Sequence, residues 1–225
     1  MKKYILNIIN RIPKLMTGFI IIAFGIRLMI DTDLGLNPWG IFHSGIANIT
    51  GITFGQATQL TGLGIILIST MFKIFPGIGT ILNMIFIGYF VDLIKIFNLS
   101  PKFSGMTINI IIFFIGLIIF DYGVYVYLKA DLGSGPRDSL MLALTKMTRF
   151  TAGQNKIMME ITAATTGYLM GGLAGLGTII AAIFGGIFLD IIFKLFKYDP
   201  KTRTFTNIII NYQELKVILQ ENQQI

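Results

Sequence analysis

"TDLGLNP" (residues 32–38) and "ADLGSGP" (residues 130–136) are near-copies of one turn, 98 residues apart in a chain of 225. The copies sit inside a longer match. Sliding the chain by 98 needs no gap, and Gly18 meets Gly116 and Gly25 meets Gly123. Asp33, Leu34, Gly35 and Pro38 meet Asp131, Leu132, Gly133 and Pro136. Thr53, Gly55 and Gln56 meet Thr151, Gly153 and Gln154; Gly77, Gly79 and Thr80 meet Gly175, Gly177 and Thr178. Gly88, Phe90 and Asp92 meet Gly186, Phe188 and Asp190. Apolar coincidences mean little in an oily chain, but glycine, proline, Asp and Gln in constant register mark a duplication. The expected repeats are 13–97 and 106–197, followed by a short polar tail, 198–225, on the cytoplasmic side.

Both turns follow apolar segments, and composition says where such segments belong. The chain is 54% apolar and 13% charged, with mean hydropathy +0.75. A soluble domain of this size cannot bury that much apolar surface, so the chain is expected in a bilayer. There is no Cys and a single His, which excludes disulfides and leaves little to hold a metal. No cofactor is expected. The +7 charge reads as basic loops of a membrane protein rather than a nucleic-acid surface. The basic, then apolar N-terminus lacks a cleavage site and continues as a helix.

Six segments are apolar and near the ~20 residues a spanning helix needs: 13–30, 56–72, 77–96, 106–128, 154–174 and 177–196. Two shorter ones, 38–49 and 136–147, each begin at a proline, which suits the first helical position. At about 18 Å they are too short to cross. Asn37 is placed to cap the first. Three crossings per half turn the second half upside down. With the N-terminus inside, 15 of the 18 Lys and Arg residues fall on the inner side, as the positive-inside rule requires. Only Lys95 and Lys102 lie outside, and Arg27 lies within a helix. The expected fold is therefore an all-α polytopic membrane protein of six transmembrane helices plus two short half-helices. It is built as two inverted repeats, with both termini in the cytoplasm of a bacterial cell.

Inverted halves with broken helices are a transporter pattern, with sites near the breaks. Asn37, Pro38, Gly135 and Pro136 are expected to face one another and help line a solute site. The bland alternative lays the short helices flat on the two membrane faces, which would suit Trp39 and His43. Arg27 adds positive charge, and Gln56 and Gln154 open helices, where each can cap or touch a solute. Asp121 and Glu160 are intramembrane carboxylates, functional candidates by default. They have no acidic counterpart in the other half, and they are expected to couple proton movement; Arg27 pairing with one of them as structural glue is the alternative. Asp33, Asp131, Asp92 and Asp190 are duplicated and read as structural acids of turns and helix ends. Gly167, Gly171 and Gly175 form a small-residue stripe, with Gly172 beside it, suited to helix packing within one chain or in a homodimer. Met158, Met159 and Met170 read as packing residues.

The stretch from Gly123 to Leu140, with its A-D-L-G-S-G-P-R-D-S-L, followed by T-x-G-Q at 151–154, resembles the YczE/YyaS/YitT family of bacterial integral membrane proteins. The resemblance covers about residues 13–197. The polar tail after Tyr198 is too short for the soluble domain many YitT-type members carry, so the YczE type is the nearer match. The resemblance implies a small polytopic membrane protein and brings no substrate with it.

Three function classes follow. The first is a secondary transporter or permease for a small polar or charged solute, proton-coupled through the two carboxylates. A passive channel needs no such carboxylates. A non-transporting accessory protein would support a membrane partner, with residues 201–225 as its docking segment. Nothing in the chain argues for an enzyme: there is no nucleophile–base motif. The expected partners are the lipid bilayer and the solute.

Overall fold

The computed structural model describes residues 2–73, 75–101, 104–133, 135–150 and 152–198. Among these residues all regular structure is helical: α1 (Lys2–Asp31), α2 (Pro38–Thr50), α3 (Phe54–Met71), α4 (Ile78–Ile96), α5 (Met106–Leu128), α6 (Pro136–Met147), α7 (Ala152–Leu169) and α8 (Leu176–Leu195). The polar tail beyond Tyr198 and Lys102 lie outside the described residues.

Local chemistry sets the helix ends. Asn37 Oδ1 accepts the Gly40 N–H at 2.7 Å and caps α2, whose first residue is Pro38. Such a cap satisfies one of the unpaired donors at a helix start. Thr53 and Gln56 form a reciprocal capping box on α3: Thr53 Oγ1 accepts the Gln56 N–H at 3.0 Å, and Gln56 Oε1 accepts the Thr53 N–H at 2.9 Å. The two repeated turns carry the same backbone. Asp33 and Asp131 lie at φ 55° and 53°, and Gly35 and Gly133 at φ 103° and 134°. Asp tolerates the left-handed region better than most residues, and glycine enters it freely. Two bounds differ from expectation. α1 runs through Pro13 instead of starting there. α7 stops at Leu169, because Gly171 turns left-handed at φ 76° and its N–H bonds Tyr168 O at 2.9 Å.

α1 and α5 form the central pair, packed through glycines. A Cβ at Gly25 would sit 2.6 Å from both Gly116 O and Phe120 N, and one at Gly123 would sit 2.7 Å from Ile22 N. Bare backbone lets the axes approach closely, as membrane helices do. Leu15, Phe19 and Ile22 of α1 and Tyr125, Tyr127 and Leu128 of α5 pack into one buried cluster. α4 packs on α1, and α8 packs on α5. The short helices cross over: α2 packs on α7, and α6 packs on α3. The α3–α4 pairing lacks a counterpart. α3 packs along α4, whereas among the described residues α7 does not pack along α8.

Among the described residues four helices are long and apolar enough to cross a membrane: Leu6–Asp31, Ile78–Ile96, Met106–Leu128 and Leu176–Leu195. α2 and α3 pass that test together, as one element bent by 111°. Of the six expected spans, α3 thus passes only together with α2, and α7 does not pass at all. Its 18 residues include Gln154, Asn155, Lys156, Glu160 and the threonines 162, 165 and 166, and that polarity lowers its mean hydropathy.

Candidate functional site

The repeated turns are held by the opposite halves. The Gly177 N–H at the start of α8 donates to Leu34 O at 2.6 Å, and the Gly79 N–H at the start of α4 donates to Leu132 O at 2.7 Å. Inside each acceptor turn's partner loop, Thr178 Oγ1 accepts the Gly175 N–H and Thr80 Oγ1 accepts the Gly77 N–H, both at 3.1 Å. The D-L-G and G-x-G-T phrases are thus two sides of one joint, made twice. Close approach requires their glycines: a Cβ at Gly35 would meet Gly175 N, and one at Gly133 would lie 3.0 Å from Thr80 Oγ1.

α2 is seated the same way. The Leu36 N–H donates to Leu173 O at 3.0 Å, and Ser44 Oγ accepts the Leu173 N–H at 2.9 Å. A Cβ at Gly167 would collide with the backbone of Ile41 and Phe42, and one at Gly172 with Ile41 O. The glycine stripe is therefore an internal seat for α2.

At the crossing, the second residues of the two short helices meet. The Arg137 guanidinium of α6 lies 4.8 Å from the centroid of the Trp39 ring of α2, a cation–π distance. These two positions are themselves 98 residues apart. One turn further along α2, His43 is buried, 3% exposed. Its Nδ1 is 3.1 Å from Thr58 Oγ1 of α3, and the Phe54 ring stands edge-on to it at 5.7 Å. The lone histidine is thus an interior residue, contrary to the surface placement that an interfacial α2 implied. An Arg head, an indole, an imidazole and two phenyl rings (Phe42 is 6.4 Å from His43) surround the meeting point.

The other sequence candidates scatter. Asn37 caps α2; Pro38 is half-buried beside it; Gly135 and Pro136 are buried at the start of α6. Gln56 is exposed and occupied by its capping box, and the Gln154 side chain lies outside the described residues. Arg27 pairs with Asp31, one turn on: its Nε donates to Asp31 Oδ2 at 2.9 Å, and its NH2 group bonds Oδ1. The sequence reading overlooked this i,i+4 pair, whose spacing is the standard one on a helix. Asp121 is buried in α5 and Glu160 is half-buried in α7. α5 and α7 do not pack along each other among the described residues. Asp92 anchors a helix start. Its Oδ1 accepts the Gly55 N–H at 3.1 Å, and its Oδ2 accepts the Thr53 hydroxyl. Its mate Asp190 is exposed. Asp33 is exposed and Asp131 half-buried, both in the turn conformation given above. Asn155, also overlooked, is 2% exposed and donates to Thr148 Oγ1 at 3.1 Å. Among the described residues no three His, Asp or Glu side chains gather as a metal site.

A family model described as "Family of unknown function (DUF6198)" matches residues 9–194. The chain is 40% identical over 174 residues to "Uncharacterized membrane protein YczE" of Bacillus subtilis (strain 168), covering 76% of this chain and 80% of that protein. It is 31% identical over 179 residues to an "Uncharacterized protein" of Haemophilus influenzae, covering 78% and 81%. "Uncharacterized protein YyaS" of Bacillus subtilis is 22% identical over 176 residues, covering 77% and 88%. No solved structure matches. The chain belongs to the DUF6198 family and is a YczE-like membrane protein.

Proposed function

We propose that this YczE-like protein is a secondary transporter or permease for a small polar or charged solute. It crosses the bacterial cell membrane six times, with its halves inverted and both termini in the cytoplasm. Support for the inversion comes from the doubly made joint: one carbonyl–amide pair per half, Leu34 with Gly177 and Leu132 with Gly79, at matching positions. The basic-residue bias agrees with it. α3 and α7 complete the six crossings.

The observation that carries the functional reading is the contact of Arg137 with Trp39. It brings the starts of two helices too short to span to one place inside the bundle. Helix starts there carry partial positive charge, and transporters of inverted design place their solutes at such breaks. Arg137 and the two starts favour a solute with an anionic or strongly polar group. No catalytic step is assigned.

The test is a thermal-shift screen of the purified protein against amino acids, organic acids and inorganic anions. A subset is expected to raise the melting temperature, with the rise lost in Trp39→Ala and Arg137→Ala. A flat screen together with a stoichiometric co-purifying membrane protein would overturn this reading in favour of an accessory role.

A further inference from the structure

The two halves differ where the repeat says they should agree. In the first half α3 is docked on α4. Gly55 and Gly88 touch backbone to backbone, and Gly62 faces the Met84 side chain. Gln59 Nε2 donates across the seam to Ile85 O at 2.7 Å, and Asp92 takes the N-terminus of α3. The second half keeps the two glycines and the acid in the same register, Gly153, Gly186 and Asp190, with Ile157 and Ile183 standing where Gln59 and Ile85 make their hydrogen bond. Yet its seam is open. A Cβ at Gly186 would meet nothing within 4 Å. Asp190 is exposed, and Ile157 and Ile183 are 58% and 54% exposed. A glycine and an acid kept for docking, but not docked, describe a seam with a second position.

One further difference introduces a charge. Where the closed seam has Gly62 facing Met84, the open seam has Glu160 and Ala182. Docking α7 on α8 in that register would press the Glu160 carboxyl against a methyl group. An ionised carboxylate is too costly in such a place, whereas a protonated one is tolerable. We infer that α7 closes on α8 in a second state of the protein, and that closure carries one solvent proton onto the Glu160 carboxylate. No other bond is made or broken. The helices packed against α7 place His43 on α2 and Arg137, Asp138 and Lys146 on α6, while α7 itself adds Lys156 and α8 adds Asp190. In the closed state Asp190 stands to the N-terminus of α7 as Asp92 stands to that of α3. Asymmetric seams that exchange open and closed positions would give the solute site its alternate access; that purpose, though not the motion, rests on the transporter reading.

The chain has no cysteine, so nitroxide labels can be placed freely. Labels at Ile157→Cys and Ile183→Cys report the α7–α8 seam in lipid nanodiscs, and labels at Gln59→Cys and Ile85→Cys give the closed distance. The expected result is a long separation at pH 8 and a growing population at the closed distance by pH 5. Adding Glu160→Gln should give the closed distance at both values. A single long distance in both proteins at both values overturns the inference. So does closure that is independent of pH in the unsubstituted protein. Dipolar coupling between singly labelled Ile157→Cys chains also overturns it, because the open seam would then be covered by a second copy. No solute enters the measurement. A moving seam in a protein that no solute stabilises would sink the transporter reading alone, and a rigid seam in a solute-stabilised protein would sink only this inference.

Discussion

Replacing Asp92 by alanine should destabilise the protein far more than the same change at its mate Asp190. In the structure Asp92 accepts the Gly55 N–H at 3.1 Å and the Thr53 hydroxyl at the start of α3. Gly55 is buried, so its amide has no water to turn to. A hydrogen bond to a charged group contributes about 1.5–3 kcal/mol, and a negative charge at a helix N-terminus adds about 0.3–1 kcal/mol. Thr53 is exposed, and its hydroxyl regains water, so little is added for it. Asp92→Ala should therefore cost about 2–4 kcal/mol. At about 2–4 °C per kcal/mol for a chain of this length, the melting temperature should fall on the order of 10 °C. Asp190 is exposed in the open seam, so Asp190→Ala should cost less than about 0.5 kcal/mol. Asp92→Asn, which keeps one acceptor oxygen and loses the charge, should fall between. Thermal unfolding in nanodiscs, followed by intrinsic fluorescence, measures all three. Equal losses at Asp92 and Asp190 would refute the claim that only one seam is docked.

Gly25→Val should reduce folded yield and cost about 1–3 kcal/mol or more by overpacking the α1–α5 contact; Gly64→Ala, where a Cβ meets nothing within 4 Å, should be neutral or stabilising by about 0.5–1 kcal/mol. Arg27→Gln should be strongly destabilising, because it leaves the Asp31 carboxylate unpaired at 7% exposure. The double variant Arg27→Gln/Asp31→Asn should recover most of the loss, and additive losses in unfolding scans would refute the pairing. Thr50→Cys and Phe150→Cys, both in exposed positions, should label from opposite sides of sealed vesicles; labelling from the same side refutes the inversion.

The repeat made much of the fold legible. Apolar length and two prolines located all eight helices, and under the constant offset the ends of α3 and α7 fall at matching positions in the two halves. The D-L-G turn could be read because Asp and Gly tolerate a backbone that most residues avoid. What paired with the turn could not be read. Leu34 and Leu132 meet Gly177 and Gly79 through backbone atoms, and a carbonyl leaves no mark in a residue type. The site was only partly legible for a related reason. His43 and Arg137 carry no repeated signature, since Met141 and Trp39 stand at the equivalent positions, and a search for duplicated polar residues passes over both. Asp31 was hidden by its closeness to Arg27, because attention to long-range carboxylates missed the one a single turn away. Glu160 could be read as an acid within an apolar stretch, but its place on an undocked face shows only when the two seams are set side by side.

The crossed joints also set an order of events during synthesis. α2 finds its seat in Leu173 and the glycines around it, which leave the ribosome about 137 residues after Leu36. At roughly 5–20 residues per second that is about 7–27 s. Through that interval a helix too short to span, and a turn whose Leu34 carbonyl still lacks its Gly177 donor, must wait in or beside the translocation machinery. The first half is thus a client before it is a domain. A chain cut between α4 and α5 should hand the insertion apparatus a fragment it cannot release as folded protein. The same fragment should be rescued when the second half is made beside it in the same membrane.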